Sequence, residues 1–313
     1  MGLELQEVAS NLGFPEGPVA MNDGSVLFVD IKRQTLMRLQ PGKKPKRIAK
    51  LPGGPNGCAI GPDGAAYICN NGGVYTFPKD KKTGLRMPNP YRPDYRGGSI
   101  QRVDLKSGEV TTLYTKYKGK KGECIPLIAP DDIVFDTKRG GFWFTDTGKQ
   151  DGTVSQSGAV YFATIDGKTL KYAAMIPTAN GIGLSPKGDK LFVSDTVFGR
   201  LWALDIAGPG VLKPGFMNIF PGNVVQTLPN LQWLDSLKVL KSGSVCVGTL
   251  LIGGITVFHP DQTTEHVEVP DPFTTNLCFG GDDMRDVWIT ASGTGKIYKT
   301  RWPEPGLKLA HQV

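Results

Sequence analysis

Six times along the chain one short pattern returns, and a repeated unit of this kind has to stack against its own copies to bury its apolar face. The unit opens on a small or acidic polar residue and runs through three or four mostly apolar residues. It then turns at Gly, Asp or Pro and closes on a second β-rich run. The first copy is Glu16-Gly17-Pro18-Val19-Ala20, a turn at Asn22-Asp23-Gly24, and Val26-Leu27-Phe28-Val29-Asp30. The later copies open at Asn56, Asp131, Asn180, Asp235 and Thr275, with steps of 40, 75, 49, 55 and 40 residues. A step of about 40 to 50 residues is the length of a four-stranded propeller blade. Six copies therefore predict an all-β fold, a six-bladed β-propeller, as a single domain over residues 1–313. The long second step leaves room for an insertion, and the Pro-, Lys- and Arg-rich stretch at about 79–98 reads as that excursion. A ring has to close or leave open sheet edges. The alternating segment Leu3–Ala9 is expected to close it as the outermost strand of the last blade, beside Ile297 and Tyr298. A pair of β-sandwiches is the competing reading, but sandwiches do not usually repeat one turn-flanked pair six times.

Composition agrees with short strands and many turns. The chain has 41 Gly and 24 Pro, yet 39% of residues are hydrophobic. So many breakers exclude a helix bundle, and so much apolar material excludes wholesale disorder. No apolar run approaches the roughly 18 residues of a membrane helix, and the first residues lack the pattern of a signal peptide. The five cysteines, Cys58, Cys69, Cys124, Cys246 and Cys278, form no CxxC pair. A reduced, cytoplasmic chain is the expectation. The formal charge of +7 comes largely from Lys43–Arg47, Lys79–Lys82 and Lys116–Lys121. Without a nucleic-acid motif these read as solvated loops, so neither nucleic acid nor membrane is expected as a partner.

In a propeller the innermost strands line the central channel, so equivalent leaders converge near one end of it. Here these are Glu16, Asn56, Asp131, Asn180, Asp235 and Thr275. Asn or Asp before Gly is also common turn chemistry. Turn chemistry, however, does not require the same register in separate blades. Three carboxylates facing one axis repel, and a bound divalent cation removes that repulsion. Oxygen donors without His or Cys favour Ca²⁺, with Mg²⁺ or Mn²⁺ as alternatives and Zn²⁺ behind them.

Several of these segments carry a family resemblance. Phe14-Pro15-Glu16-Gly17-Pro18-Val19, Pro55-Asn56-Gly57, Ala179-Asn180-Gly181-Ile182-Gly183-Leu184-Ser185-Pro186 with Val193-Ser194-Asp195, and Gly253-Gly254-Ile255-Thr256-Val257-Phe258 resemble the SMP-30/gluconolactonase/LRE-like family. The resemblance covers nearly the whole chain. It implies a six-bladed propeller with a divalent cation at the channel mouth, held by positions matching Glu16, Asn180 and Asp235. Asp131 matches a fourth position that is often Asn in the family. Asn56 carries over only as a contributor to the ring and to substrate binding. Sugar-lactone members resemble one another in an Arg two residues before that fourth position, where this chain has Ala129. The departure points toward less hydroxylated, more apolar lactones than gluconolactone.

Other chemistry is sparse. The chain has only His259, His266 and His311, without metal-ligand spacing, and it has no GxSxG nucleophile motif. Asp30, Asp146 and Asp195 end equivalent strands and read as turn stabilisers. Among aromatic residues near the expected mouth, Trp143 and Phe144 read as blade core. Phe14, Phe198 and Trp233 sit nearer loops and are candidates to line a substrate pocket. The leading expectation is a lactonase in which the cation polarises the lactone carbonyl and Asp235 is the general base, a role the resemblance assigns. Asp131 either ligates the ion or orients substrate. A phosphotriesterase-like hydrolase at the same site and a non-catalytic binding propeller with a structural ion are the alternatives. The expected partner is a small-molecule substrate.

Overall fold

The computed structural model describes residues 2–89, 94–151 and 154–312. Six antiparallel sheets stand around one axis. Their innermost strands are Pro15–Ala20, Pro55–Ile60, Pro130–Asp136, Ala179–Leu184, Trp233–Val239 and Thr274–Gly280. Each packs on the next and the sixth packs on the first, so the ring is closed. We number the blades one to six in that order. Gln6–Ala9 is the outermost strand of blade 6, with Glu7 opposite Tyr298 and Ala9 opposite Ile297. Lys296 pairs with Glu7 across this closure at 2.8 Å. The chain is thus an all-β six-bladed propeller closed by its N-terminal strand, as the repeat predicts.

The strands differ in burial because of where they stand. Second strands such as Val26–Asp30 and Gly141–Asp146 are buried throughout, because neighbouring blades cover both sheet faces. Outermost strands alternate; Leu170–Met175 is mostly open to solvent. The core therefore lies between blades. Tyr67, Phe135, Phe142, Phe144 and Tyr161 fill the space between blades 2 and 3. Trp143, Phe162, Val193 and Trp202 fill that between blades 3 and 4. Each such side chain contributes about 1.5–3 kcal/mol of hydrophobic burial. Trp143 and Phe144 have no exposed surface, so the core reading of both holds.

One irregularity recurs in every blade. The pairing of innermost and second strands shifts register at the leader, or directly after it in blade 1: between Glu16 and Val19, Pro55 and Cys58, Pro130 and Ile133, Ala179 and Ile182, Leu234 and Leu237, and Thr274 and Asn276. A bulge re-aims side chains out of the regular alternation. Here it turns the leaders toward the axis. The glycine after three of the leaders has a packing reason. A Cβ on Gly57 would stand 2.4 Å from the carbonyl oxygen of Asp131, and one on Gly17 2.4 Å from that of Asn56. Without a side chain there, consecutive leaders come within reach of one another. Gly17 also has φ +54, where a side chain is strained.

Asp30, Asp146 and Asp195 anchor the segments that carry the leaders. Asp30 accepts from Gly13 N at 2.8 Å and Phe14 N at 3.1 Å. Asp146 accepts from Ile128 N and Ala129 N, both at 2.8 Å. Asp195 accepts from Thr178 N at 3.1 Å. All three carboxylates brace the entry to the innermost strand, and Asp30 and Asp146 also hold the turn that follows them, through Arg33 N and Gly148 N.

The two ends of the channel differ. At the end away from the leaders the C-terminal segment runs across the innermost strands. Leu307 N donates to Val239 O, and Gln312 donates to Phe279 O at 2.7 Å and Ala20 O at 3.4 Å. At the leader end the chain leaves blade 2 after Asn70 and returns at Ser99. Bridges Thr76–Asn89 and Lys79–Arg86 draw the excursion into a hairpin. Arg86 N reaches Gly293 O of blade 6 at 2.8 Å. Residues 90–93 of the expected insertion lie outside the described residues.

Candidate active site at the channel mouth

All six leaders line one cavity of about 280 Å³ at the mouth of the channel. Glu16, Asn56, Asp131, Asn180 and Thr275 are buried, and Asp235 keeps part of its surface open to the cavity. Asn56 Nδ2 donates to Asp131 Oδ2 at 2.8 Å. Glu16 accepts from Gly17 N, from Asn276 Nδ2 at 2.7 Å and from Ser236 Oγ at 3.3 Å. Asp235 accepts from Ser236 N at 3.0 Å and from the Asn180 amide. Thr275 turns back to its own blade, bonding Thr290 and Ser292. Five leaders therefore form the ring of oxygens, three carboxylates and two amides.

Burial sets the electrostatics of this ring. It is the main cause that lifts Glu16 to a pKa of about 7. Burial also holds Asp131 well above the carboxylate range, with Asp235 and Glu16 adding repulsion. Asp235 is raised by burial and then by Glu16, against hydrogen bonds from Asn180 and Ser236. Asp131 Oδ1 is buried without a hydrogen-bond partner. A buried acceptor of this kind is costly unless something cationic or donating meets it. The ring's donor chemistry, oxygen only, suits a hard divalent cation. Among the described residues no three His, Cys, Asp or Glu side chains converge closely enough to form a metal cluster by themselves. Each carboxylate instead leans on its own partners, and the amide oxygens of Asn56 and Asn180 are part of the set.

Above the ring the walls are mainly apolar. Phe14 packs on Phe77 of the blade 2 excursion, with ring centroids 4.5 Å apart. Ile31, Val74, Leu250 and Phe273 add further apolar surface. Tyr75 also lines the cavity; burial first and Asp131 second push its phenol up to about 12. The blade 3 hairpin of Lys149–Asp151 and Val154–Gln156 supplies a more polar flank through Gln150 and Gln156.

A family model for the SMP-30/gluconolactonase/LRE-like region matches residues 14–293, from the first leader strand through the last. The chain belongs to the SMP-30/gluconolactonase/LRE-like family. It is 25% identical over 315 residues to a gluconolactonase of Zymomonas mobilis, a match covering 92% of this chain and 79% of that protein. It is 27% identical to a lactonase drp35 of Staphylococcus epidermidis over 66% of this chain, a match that spans 55% of the relative. The solved structure of a calcium-binding regucalcin from Agrobacterium tumefaciens shares the fold. Its TM-score is 0.70 at 16% identity, over 99% of each chain.

Within this family fold the residues singled out from the sequence fall into place unevenly. Glu16, Asn56, Asp131, Asn180, Asp235, Phe14 and Trp233 all line the cavity. Phe198 does not. It is half exposed beneath the Arg200 guanidinium, and its neighbour Val197 faces the cavity instead. In the short turn after the second strand of blade 4, adjacent side chains point opposite ways. Ala129 is fully buried and is absent from the lining, its N–H held by Asp146. An Arg at 129 would therefore have to displace core packing before reaching a substrate.

Sequence reasoning missed the layer beneath the ring. Lys238 Nζ stands 3.6 Å from Asp132 Oδ2 and donates to Asn276 Oδ1 at 3.2 Å. Asn276 in turn holds Glu16. One fixed cation thus lies below the carboxylates, joining blades 3, 5, 6 and 1. The signal was present. Asp132, Ser236 and Asn276 each follow a leader directly, where blades 1, 2 and 4 have Gly. Lys238 is charged where the equivalent residues Val19, Ala59, Val134, Gly183 and Cys278 are not.

Proposed function

We propose that the chain is a divalent-cation-dependent lactonase, with Ca²⁺ the preferred ion, acting on small lactones of apolar character. Glu16, Asp131, Asn180 and Asp235 would hold the ion, with Asn56 positioning Asp131. The observation that carries the reading is the unpartnered Asp131 Oδ1 in a ring of three carboxylates, two of them buried, at the floor of a mainly apolar cavity. When bound, the ion supplies Lewis acidity to the lactone carbonyl and stabilises the developing oxyanion. Asp235 accepts the proton of the attacking water; its partial opening to the cavity gives that water access to the carboxylate. The ring C–O bond then breaks, the proton passes to the leaving oxygen, and a hydroxy acid results. Lys238, through Asn276, keeps Glu16 oriented. The apolar walls hold the body of the substrate and limit water at the floor.

The test combines metal analysis of purified protein with a lactone panel assayed before and after chelation, plus a phosphotriester. Turnover of lactones that is lost on chelation and restored by Ca²⁺ is the expected result. An ion that binds without any lactone turnover would favour a structural role, and phosphotriester turnover alone would move the chemistry to phosphorus.

A further inference from the structure

The buried polar atoms without partners are not scattered. Among the described residues they are Thr35 Oγ1, Asn71 Nδ2, Asp131 Oδ1, Thr196 Oγ1 and Trp233 Nε1. All but Thr35 belong to residues that line the mouth cavity. Native structures leave few such groups, so their concentration in one cavity points to a ligand there. Asp131 belongs to the ring already described. The remaining three are hydrogen-bond donors, the indole and amide N–H strictly so.

Their placement gives the ligand a shape. Thr196 and Trp233 share one wall at the junction of blades 4 and 5, where Leu234 N donates to Thr196 O at 3.3 Å. The Trp233 ring, half-buried, packs on the core of blade 1 and its neighbours. Asn71 lies across the cavity in blade 2. Its Oδ1 accepts from Gly73 N at 2.9 Å, which fixes the amide with the NH₂ as the free end.

We infer that Trp233 Nε1 and Thr196 Oγ1 form a donor pair that binds an acceptor oxygen of the substrate outside its reacting ester, with Asn71 a third donor on the opposite wall. The inference rests on the lactonase reading and deepens it. The substrate class is a lactone with an apolar body and at least one further acceptor oxygen, such as a carbonyl. A polyhydroxylated lactone brings as many donors as acceptors. Phe14, Phe77, Val74 and Phe273 offer its hydroxyl protons nothing, and burying them there is costly.

The experiment uses two alkyl γ-lactones of equal length, one with a ketone carbonyl in the side chain. It also uses two cyclopentanones with the same side chains, which cannot be hydrolysed, for calorimetric binding. Wild type should favour the keto member of each pair by about tenfold or more, since a site built to hydrogen-bond a group rejects the analogue lacking it. Trp233→Phe, which keeps the ring and removes the N–H, and Thr196→Val should each erase most of that preference. The plain member serves as the internal reference within each variant, so the readout is the keto-to-plain ratio and not the absolute rate. Equal losses on both members, or no keto preference in wild type, would overturn the donor pair while leaving the lactonase reading intact. A Trp233-dependent preference among the cyclopentanones without turnover of either lactone would uphold the donor pair and defeat the hydrolytic reading.

Discussion

The floor and the roof of the mouth cavity are built in opposite ways. The floor is the repeat itself: every blade places one leader at a bulge or directly before it, and five of those leaders form the ring. The roof is made where the repeat is broken. The excursion between Asn70 and Ser99 brings Phe77 over Phe14, and the hairpin ending at Gln156 adds a polar flank. The fixed floor is suited to holding charge and the irregular roof to choosing substrate. Changes to the floor should therefore abolish chemistry or folding, and changes to the roof should alter only which substrate is taken.

The largest effect should come from Asp235→Asn. Replacing the proposed base should lower kcat by about 10³-fold on any lactone, because general-base catalysis is worth roughly 10²–10⁴. Steady-state rates on two unlike lactones would show whether the loss is uniform. Gly57→Ala should follow. Its Cβ would stand 2.4 Å from a backbone oxygen of the next leader, so the ring must open, at a cost of about 2–3 kcal/mol read from denaturant unfolding. A change below about 0.5 kcal/mol would mean that the leaders are not held as tightly as the spacing suggests.

The floor should also show in the pH dependence of the metal-free protein. Glu16 is raised to about 7, and Asp131 and Asp235 are raised as well. A carboxyl raised in the folded state stabilises fully below its unfolded pKa and loses that contribution as pH rises through the folded value. The melting temperature of metal-free protein should thus fall between pH 5 and pH 8. Added Ca²⁺ should raise it by more at pH 8 than at pH 5. The roof sits lower on the scale. Phe77→Ala should raise KM for an alkyl lactone by roughly tenfold, from lost apolar contact, with calcium affinity unchanged. Phe198→Ala, outside the cavity, should change kcat/KM by less than about twofold, within the range of an ordinary surface substitution.

How legible each part was in the sequence follows the same division. Glu16, Asn56, Asp131, Asn180 and Asp235 could be found because a bulge repeated in register leaves a repeated polar letter. The closing strand could be found because Leu3–Ala9 alternates and the ring needs an edge covered. The Lys238–Asp132–Asn276 layer was visible only as departures from the repeat, and its pairing needs three blades brought to one axis. Asn71, Thr196 and Phe77 lie in connections whose course no local pattern sets. Phe198 shows the limit most closely: proximity to the mouth was readable, but which of two adjacent turn residues faces inward was not.

Whether the ring binds a divalent cation is decided by calcium titration of the metal-free protein by calorimetry. The expected result is one ion per chain in wild type, with affinity lowered at least about tenfold, on the order of 1.4 kcal/mol, in Glu16→Gln, because an anionic oxygen donor is lost. No binding in wild type, or identical titrations in wild type and Glu16→Gln, would contradict it.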